Sequence, residues 1–372
     1  MPSHHVLADN FHSVPNVDAK LRKWVVQNGG YIHDGLCLSD NAPCGARGVV
    51  ALSRISLDDM LRRPLVSIPK TLHLDNLLST ALVKSRVSTD VQHELVEGLE
   101  QVQIVAAALA SERSLGTQSS WYPYIESLPE AAPCPWLLSD EALDHAVVMA
   151  LAANNMHDDS LILEPYQSKE DNNQCHLQNG IHYNEAPGSV SRKEEQQLTS
   201  GCSSSSNYSN TSFSHSAWKD AAKLSKKRYQ MLGMEVLDIC GRDLNLSLED
   251  IIWAMGQVAS RSLGSGRSSG VVPYMDLLNH HAEARPPMLQ VDESYDHDYS
   301  SSSEQDHANN NNGKANQGNR LSMSSQPRLL MTCTNVRGME LCPLEVGQEL
   351  YISYGEWETS LEAWLKFGFI LK

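Results

Sequence analysis

The segment VVPYMDLLNHH, from Val271 to His281, joins an apolar run to four side chains that could do chemistry. The run is typical of a buried strand, and Asp276, Asn279, His280 and His281 lie within it or at its end. Burying so many polar groups is unfavourable unless each one finds a partner. The segment is therefore either the start of an ordinary loop, in which Asn279 caps a turn, or the floor of a site that binds a polar ligand.

The composition limits the class of protein. A chain of 372 residues with 41% hydrophobic residues fits a globular protein of about one to three domains. No stretch approaches the ~20 apolar residues that span a bilayer, and the N-terminal residues lack the basic start and apolar core of a signal peptide. We therefore expect an intracellular protein, cytoplasmic or nuclear, that makes no contact with a membrane.

The charge and the cysteines exclude further classes. Lys and Arg number 29 against 45 Asp and Glu, and the net charge of -16 argues against direct nucleic-acid binding, which needs a basic surface. A basic segment of another protein remains a suitable partner. The 8 cysteines form no CxxC pair, so we expect reduced structural thiols and no metal site.

Short strands are predicted near the N-terminus, after one helix. Val17 to Asn28 places apolar residues at helical spacing and stops at Gly29, a common type of helix end. The pieces GVVALS (48–53) and LVSIP (65–69) are short, apolar and bounded by polar turns, as expected of strands. This part of the chain is predicted to form a small β region.

The middle of the chain is predicted to be helical. An apolar stripe at helical spacing runs through DVQHELVEGLEQVQIVAAALASER (90–113). LSDEALDHAVVMALAA (138–153) begins with Ser139 as a favourable N-cap. A further helix is predicted from Ser247, with Asp250 in the capping-box position, to Arg261, where the helix dipole alone would favour a cation.

Two polar segments interrupt these elements. Residues 167–216 and 292–326, with approximate limits, are rich in Ser, Asn and charge and poor in aliphatic side chains, so we expect disordered insertions. PRLLMTCTNV (327–336) and ELYISYG (349–355) then return to strand-like composition. SLEAWLKFGFILK (360–372) is predicted to form a short amphipathic helix with an apolar tail.

Four blocks in a fixed order carry a resemblance to a known family. They are GGYIHDGL with GARGVVALSRI and LVSIPKTLHL, then WYPYIESLP, then VASRS with VVPYMDLLNHH, and finally VGQELYISYGE with WLKFGFIL. Together they resemble the SET-domain protein methyltransferases, in the branch of the Rubisco large-subunit lysine methyltransferase and its histidine-methylating relatives. Members of this branch continue into a helical domain that holds the protein substrate, and here Lys372 follows directly after the last block.

The resemblance implies a fold and a reaction. The fold class is α+β, a SET-domain β-clip of short sheets with a helical insertion and a threaded C-terminal segment. Residues 17–78 would form the N-terminal part of the SET domain, 79–260 the helical insertion and 261–372 the C-terminal part. The implied activity is that of a monomeric enzyme that transfers a methyl group from S-adenosyl-L-methionine to a lysine of a protein substrate.

The resemblance also assigns cofactor-binding residues, which lie in the NHH segment, in a glycine-containing turn and at a helix end: Asn279, His280, Ala46, Arg47, Gly48 and Arg261. Arg261 matches an arginine that pairs with the cofactor carboxylate. The turn of the family often starts with an acidic residue, and Gly45 stands there instead. Asp276 is assigned to the substrate side, as an orienting group and not as a base.

Tyr354 of ISYG is the predicted catalytic residue. Its hydroxyl would orient the acceptor amine in a channel that excludes water, and desolvation beside a sulfonium would lower the pKa of that amine. The alternative is a core tyrosine with a satisfied hydroxyl. The Rubisco-type enzymes carry a second active-site tyrosine where this chain has Phe367, whose ring would form a wall of the substrate channel.

Two alternatives to lysine methylation stay open. A histidine acceptor is the alternative within the enzyme class, since relatives of this branch use one. A non-catalytic SET module that binds a protein partner is the alternative from another class, and Phe367 and Gly45 favour it. The joint presence of Asn279, His280, Arg261 and Tyr354 favours an enzyme.

Overall fold

The computed structural model describes residues 15–155, 214–292, 328–355 and 359–369. Most of the two predicted insertions, 167–216 and 292–326, lies outside the described residues. Their borders are described and differ from the prediction. Ser214 Oγ accepts a hydrogen bond from the N–H of Ala217, so a helix begins within the last residues of the first predicted insertion, and Asp292 is the last residue of a strand.

The described residues form helices of very different lengths. They are α1 (Pro15–Gln27), α2 (Leu57–Arg62), α3 (Asn76–Lys84), α4 (Thr89–Gly98), α5 (Gln101–Ser114), α6 (Tyr122–Ile125), α7 (Asp140–Asn155), α8 (His215–Val236), α9 (Arg242–Leu244), α10 (Leu248–Arg261) and α11 (Ser360–Phe367).

The strands are short and lie on both sides of the helical part. They are β1 (Tyr31–Ile32), β2 (Leu36–Ser39), β3 (Gly48–Ala51), β4 (Val66–Pro69), β5 (Leu74–Asp75), β6 (Gly270–Val271), β7 (Asn279–His280), β8 (Met288–Asp292), β9 (Arg328–Cys333), β10 (Val336–Arg337), β11 (Glu340–Leu341) and β12 (Glu349–Ile352). Two sheets have four strands each, in the orders β1-β4-β9-β8 and β2-β3-β12-β7, and β5 pairs with β6 and β10 with β11. Both four-stranded sheets therefore join strands from before and after the helices.

The predicted helix signals are confirmed in part. Ser247 and Asp250 form the expected capping box of α10, and Ser139 Oγ accepts from the N–H of Ala142 at the start of α7. The apolar stripe over 90–113 is two helices and not one, because Gln103 Oε1 accepts from the Glu100 N–H at 2.7 Å and starts α5 there. The sequence analysis assigned no element to the body of α8.

The segment VVPYMDLLNHH is buried from Val271 to Leu278 and half-buried from Asn279 to His281, but it is not the continuous strand that its composition predicts. Strand β6 ends at Val271, Tyr274 adopts a positive φ of 68°, and a 3-10 turn covers Met275 to Leu277 before β7. A left-handed conformation is unfavourable for a bulky residue. The fully buried Tyr274 is held by its surroundings, which include a hydrogen bond from Arg22 Nη2 to its hydroxyl at 3.3 Å.

Two apolar clusters hold in place the helices whose last residues are predicted site residues. In the larger one, the alanine-rich middle of α5 is buried and packs against α3 and α10. In the smaller one, Trp218 of α8 and Trp364 of α11 lie with ring centroids 5.1 Å apart. The larger cluster fixes α10, which ends at Arg261, and the smaller one fixes α11, which ends at Phe367.

Candidate active site

Strand β12 brings three sequence blocks to one place. It pairs in parallel with β7, with Tyr351 opposite Asn279, and in antiparallel fashion with β3, with Glu349 opposite Val50. The NHH segment, the turn before β3 and the ISYG segment therefore meet at this strand.

The amide of Asn279 is held by the turn and by strand β12. Its Nδ2 donates to the backbone oxygen of Arg47 at 2.9 Å and to Glu349 Oε1 at 2.6 Å, and lies 3.2 Å from Cys44 Sγ. An amide nitrogen has two hydrogens, so these partners use its donor capacity fully. No described residue donates to Asn279 Oδ1, which remains an acceptor for a ligand.

The predicted residues of the turn, Ala46, Arg47 and Gly48, approach Asn279 with their backbone and not with their side chains. The Ala46 oxygen accepts from the Ala42 N–H at 2.9 Å, and the Arg47 side chain binds Asp40 and the backbone oxygen of Ser127. A Cβ on Gly48 would fall on Asn279 Nδ2 and Glu349 Oε1, nearer than non-bonded atoms approach. Glycine at position 48 therefore permits this close contact.

His280 and Tyr354 are joined by a hydrogen bond. The backbone N–H of Tyr354 donates to His280 Nδ1 at 3.0 Å, and the Tyr354 hydroxyl donates to the Leu278 oxygen at 2.7 Å. Burial lowers the pKa of His280, and His281 lowers it further, so the ring is neutral with its proton on Nε2. Burial raises the pKa of Tyr354 strongly, and Arg261 opposes the rise only in part. Tyr354 is therefore a hydrogen-bond donor and not a proton acceptor.

Aromatic rings surround the Tyr354 ring. Its centroid lies 4.8 Å from that of Phe367, 5.4 Å from His280 and 6.3 Å from Phe369. The rings of Phe367 and Phe369 stack at 5.5 Å, and those of His280 and Phe369 at 6.1 Å. The structure thus places Phe367 beside Tyr354, and its role as a wall of the substrate channel stays a prediction.

The half-buried Arg261 contacts a buried pair, Asp276 and Tyr124. Arg261 Nη1 donates to the backbone oxygen of Asp276 at 3.0 Å, and its Nε donates to Gln257 Oε1 at 3.1 Å. The Tyr124 hydroxyl donates to Asp276 Oδ2 at 2.5 Å, while Asp276 Oδ1 has no partner among the described residues. Burial raises the pKa of Asp276 from 3.8 to about 7, against the opposing effect of Arg261.

The fold is similar to that of solved structures. One is the SET domain of LSMT bound to lysine and AdoHcy, with a TM-score of 0.54 and 16% identity over 96% of this chain and 58% of that one. The chain has the SET-domain fold. Rubisco LSMT bound to sinefungin and monomethyllysine, and the same protein bound to AdoMet, each match with a TM-score of 0.51 and 17% identity over 95% of this chain and 56% of theirs. A scan of protein-family models and a search of curated proteins give no match.

These matches confirm the predicted α+β class with short sheets. The chain spans somewhat more than half the length of the SET-domain structures it matches. None of its described helices has the length and apolar character that crossing a bilayer requires. Among the described residues, no group of three or more His, Cys, Asp or Glu side chains could hold a metal ion.

On this SET-domain fold, the sequence analysis missed three residues that contact the predicted ones. Glu349 and Cys44 hold Asn279, and Tyr124 holds Asp276. Glu349 could have been found, because strand alternation in ELYI places it on the same face as Tyr351, and a carboxylate in a buried strand needs donors. Tyr124 lies 152 positions from Asp276, and no local pattern connects the two.

The Asp276→Asn substitution is expected to change how stability depends on pH. At a pH well below 3.8 the carboxyl is protonated in both states, and between 3.8 and about 7 it ionises only in the unfolded chain. The stability of the wild type relative to the variant should therefore fall as the pH rises from about 4 to 7 and then stay level. The difference in pKa corresponds to roughly 4 kcal/mol at most.

Urea unfolding of both proteins across this pH range measures the effect. The variant Asp58→Asn, which changes an exposed aspartate of α2, is the control and should follow the wild type. A stability difference between wild type and Asp276→Asn that does not vary with pH would show that folding does not raise the pKa of Asp276.

Proposed function

We propose that this chain is an S-adenosyl-L-methionine-dependent protein methyltransferase that modifies lysine. The observation that carries the proposal is the joint placement of Asn279, the Gly48 turn and Tyr354 around β7 and β12. The SET-domain neighbours are bound to AdoMet, AdoHcy, lysine or monomethyllysine, which supports both the cofactor and the acceptor. In this proposal, residues 17–78 and 261–372 form one catalytic domain around the insertion 79–260, and a monomer suffices.

The residues present fit the cofactor. Asn279 Oδ1 is an acceptor without a donor and suits an ammonium group. The half-buried guanidinium of Arg261 suits a carboxylate, and the absence of a side chain at Gly48 lets a ligand approach the backbone of the turn. His280 and Phe369 offer flat faces for a planar ring. When bound, S-adenosyl-L-methionine supplies a methyl group on a positively charged sulfur.

The chain's own residues would align the acceptor and exclude water. The Tyr354 hydroxyl stays protonated and fixes the Leu278 carbonyl, so both groups are oriented before the substrate arrives. Phe367 and Phe369 make the surroundings of Tyr354 apolar. An amine in such surroundings is favoured in its neutral form, because desolvation destabilises the ammonium ion. Asp276 orients Tyr124 through its carboxylate, and its backbone oxygen accepts a hydrogen bond from Arg261.

Calorimetric titration of the folded chain with S-adenosyl-L-methionine and with S-adenosylhomocysteine tests the proposal. Binding of both ligands supports an enzyme. A folded chain that binds neither ligand contradicts the proposal and favours a non-catalytic module. Labelled methyl groups found on histidine instead of lysine would keep the enzyme and correct the acceptor.

The Phe367→Tyr substitution is expected to alter the number of methyl groups added to a lysine or the rate at which they are added. Phe367 is 5% exposed and its ring lies 4.8 Å from that of Tyr354, so an added hydroxyl would enter a closely packed space. The wild type, which lacks this hydroxyl, should build the higher methylation states. Intact-mass analysis of a methylated lysine peptide measures the product distribution. Identical products and rates, at equal melting temperatures, would make Phe367 a packing residue only.

A further inference from the structure

We infer that Glu349 is a positioning residue that decides which atom of the Asn279 amide meets the cofactor. The inference rests on the proposed function, and it concerns a residue for which the sequence resemblance gave no role. Glu349 lies on β12 between the turn and β7, and it is 2% exposed.

The carboxylate of Glu349 binds both sides of the candidate site. Its Oε1 accepts from Asn279 Nδ2 at 2.6 Å, and its Oε2 accepts from the backbone N–H of Cys44 at 3.1 Å. Cys44 belongs to the loop that leads into the Gly48 turn, and Asn279 belongs to β7. One buried side chain therefore ties the turn to the amide.

The polar groups that face Glu349 are donors. The Cys44 thiol and the Tyr351 hydroxyl lie near this carboxylate, and desolvation is the chief cause of the raised pKa of each, so both keep their protons. A carboxylate can only accept, so the Asn279 amide must turn its nitrogen to Glu349. The backbone oxygen of Arg47 imposes the same orientation. Asn279 Oδ1 is then the atom left for the ligand.

This orientation has a consequence for ligand choice. An amide oxygen accepts from an ammonium group, whereas an amide nitrogen in its place would oppose one. Glutamine at position 349 keeps the shape of the side chain but turns one acceptor into a donor, which would face either Cys44 N–H or Asn279 Nδ2. Only the Arg47 carbonyl would then favour the present orientation of Asn279, and the new amide donor would oppose it. The preference for a ligand with an α-ammonium should fall even if the protein stays folded.

The test compares two ligands on wild type and Glu349→Gln by calorimetry. They are S-adenosylhomocysteine and its analogue without the α-amino group. We expect the wild type to prefer S-adenosylhomocysteine by at least about 10-fold, and the variant to prefer it by less than about 3-fold, with tenfold or more loss of S-adenosylhomocysteine affinity. Glu345→Gln is the matched control, because Glu345 is exposed and pairs only with Arg54 among the described residues. This control should behave as the wild type.

A second variant covers the case in which Glu349→Gln does not fold. Gly48→Ala places a methyl group on the contact between Glu349 and Asn279. It should therefore also reduce the preference for the ligand with the α-amino group. The Asn279→Ala variant should already have lost the preference for the ligand with the α-amino group. The double variant Asn279→Ala with Glu349→Gln should differ from it in this preference by less than about twofold.

The outcomes separate the inference from the proposed function. A wild type that binds neither ligand overturns both. A wild type that binds, together with a folded Glu349→Gln protein that keeps the preference for the α-amino group, overturns the inference alone. An equal loss of affinity for the two ligands in the variant also overturns it, because that result means that Glu349 only stabilises the sheet.

Discussion

The Asn279→Ala variant is expected to bind S-adenosyl-L-methionine at least about 100-fold more weakly than the wild type. The substitution removes the acceptor Oδ1 and also the Nδ2 contacts to Arg47 and Glu349 that hold the turn. A hydrogen bond to a charged group contributes about 1.5–3 kcal/mol, and tenfold in affinity corresponds to about 1.4 kcal/mol. One such bond together with the loosened turn accounts for the expected loss. Calorimetry of the folded variant measures it.

The same substitution leaves the buried carboxylate of Glu349 without one donor, so a loss of stability of about 1–3 kcal/mol should accompany it. Thermal unfolding must therefore show that the variant is folded at the temperature of the titration. Asn41→Ala, which changes an exposed asparagine shortly before the same turn, is the matched control and should keep the wild-type affinity. Wild-type affinity in folded Asn279→Ala would remove Asn279 from the site.

The Tyr354→Phe variant is expected to lose about 100-fold in turnover while its cofactor affinity changes by less than about threefold. The hydroxyl hydrogen bond to the Leu278 oxygen is lost, but the ring and its packing against Phe367 remain. A group that aligns the reacting atoms matters more in the transition state than in the bound ground state. Steady-state kinetics on a protein or peptide substrate, together with calorimetry for the cofactor, separate the two effects.

Tyr229→Phe is the control for this experiment. Tyr229 is a partly buried tyrosine of α8 whose ring stacks on Trp136 at 4.2 Å, and among the described residues it makes no contact with the NHH or ISYG segments. Its loss of a hydroxyl should leave turnover within about twofold. Equal turnover of Tyr354→Phe and wild type would assign Tyr354 to the core and take it out of the mechanism.

Local sequence signals predicted the elements that depend on neighbouring residues. The capping box of Ser247 and Asp250 starts α10 as expected, and the apolar pieces at 48–53 and 65–69 contain β3 and β4. These features follow from hydrogen bonds and periodicity within a few positions. The segment before Asn279, by contrast, was predicted as a strand and is a turn with a positive φ at Tyr274, and the hydroxyl of this tyrosine is bound by Arg22, 252 positions away.

The candidate site, like the fold, could be predicted only in part from local sequence. Asn279 and His280 stood out in the sequence because polar groups in apolar segments need partners, and Tyr354 was predicted from the resemblance of the ISYG segment. Their partners could not be identified from spacing, since Glu349 is 70 positions from Asn279 and Tyr124 is 152 positions from Asp276. Only the pairing of β12 with β3 and β7 brings the turn, the amide and the tyrosine together.

Transfer of a labelled methyl group to protein tests the central proposal most directly. The chain is incubated with isotopically labelled S-adenosyl-L-methionine and a proteome extract, and the modified peptides are identified by mass spectrometry, with Tyr354→Phe as the paired sample. The account predicts labelled methyl groups on lysine side chains in the wild-type sample and far fewer in the variant. A folded wild-type chain that binds the cofactor yet labels no lysine, or that labels the same peptides as Tyr354→Phe to the same extent, would contradict it.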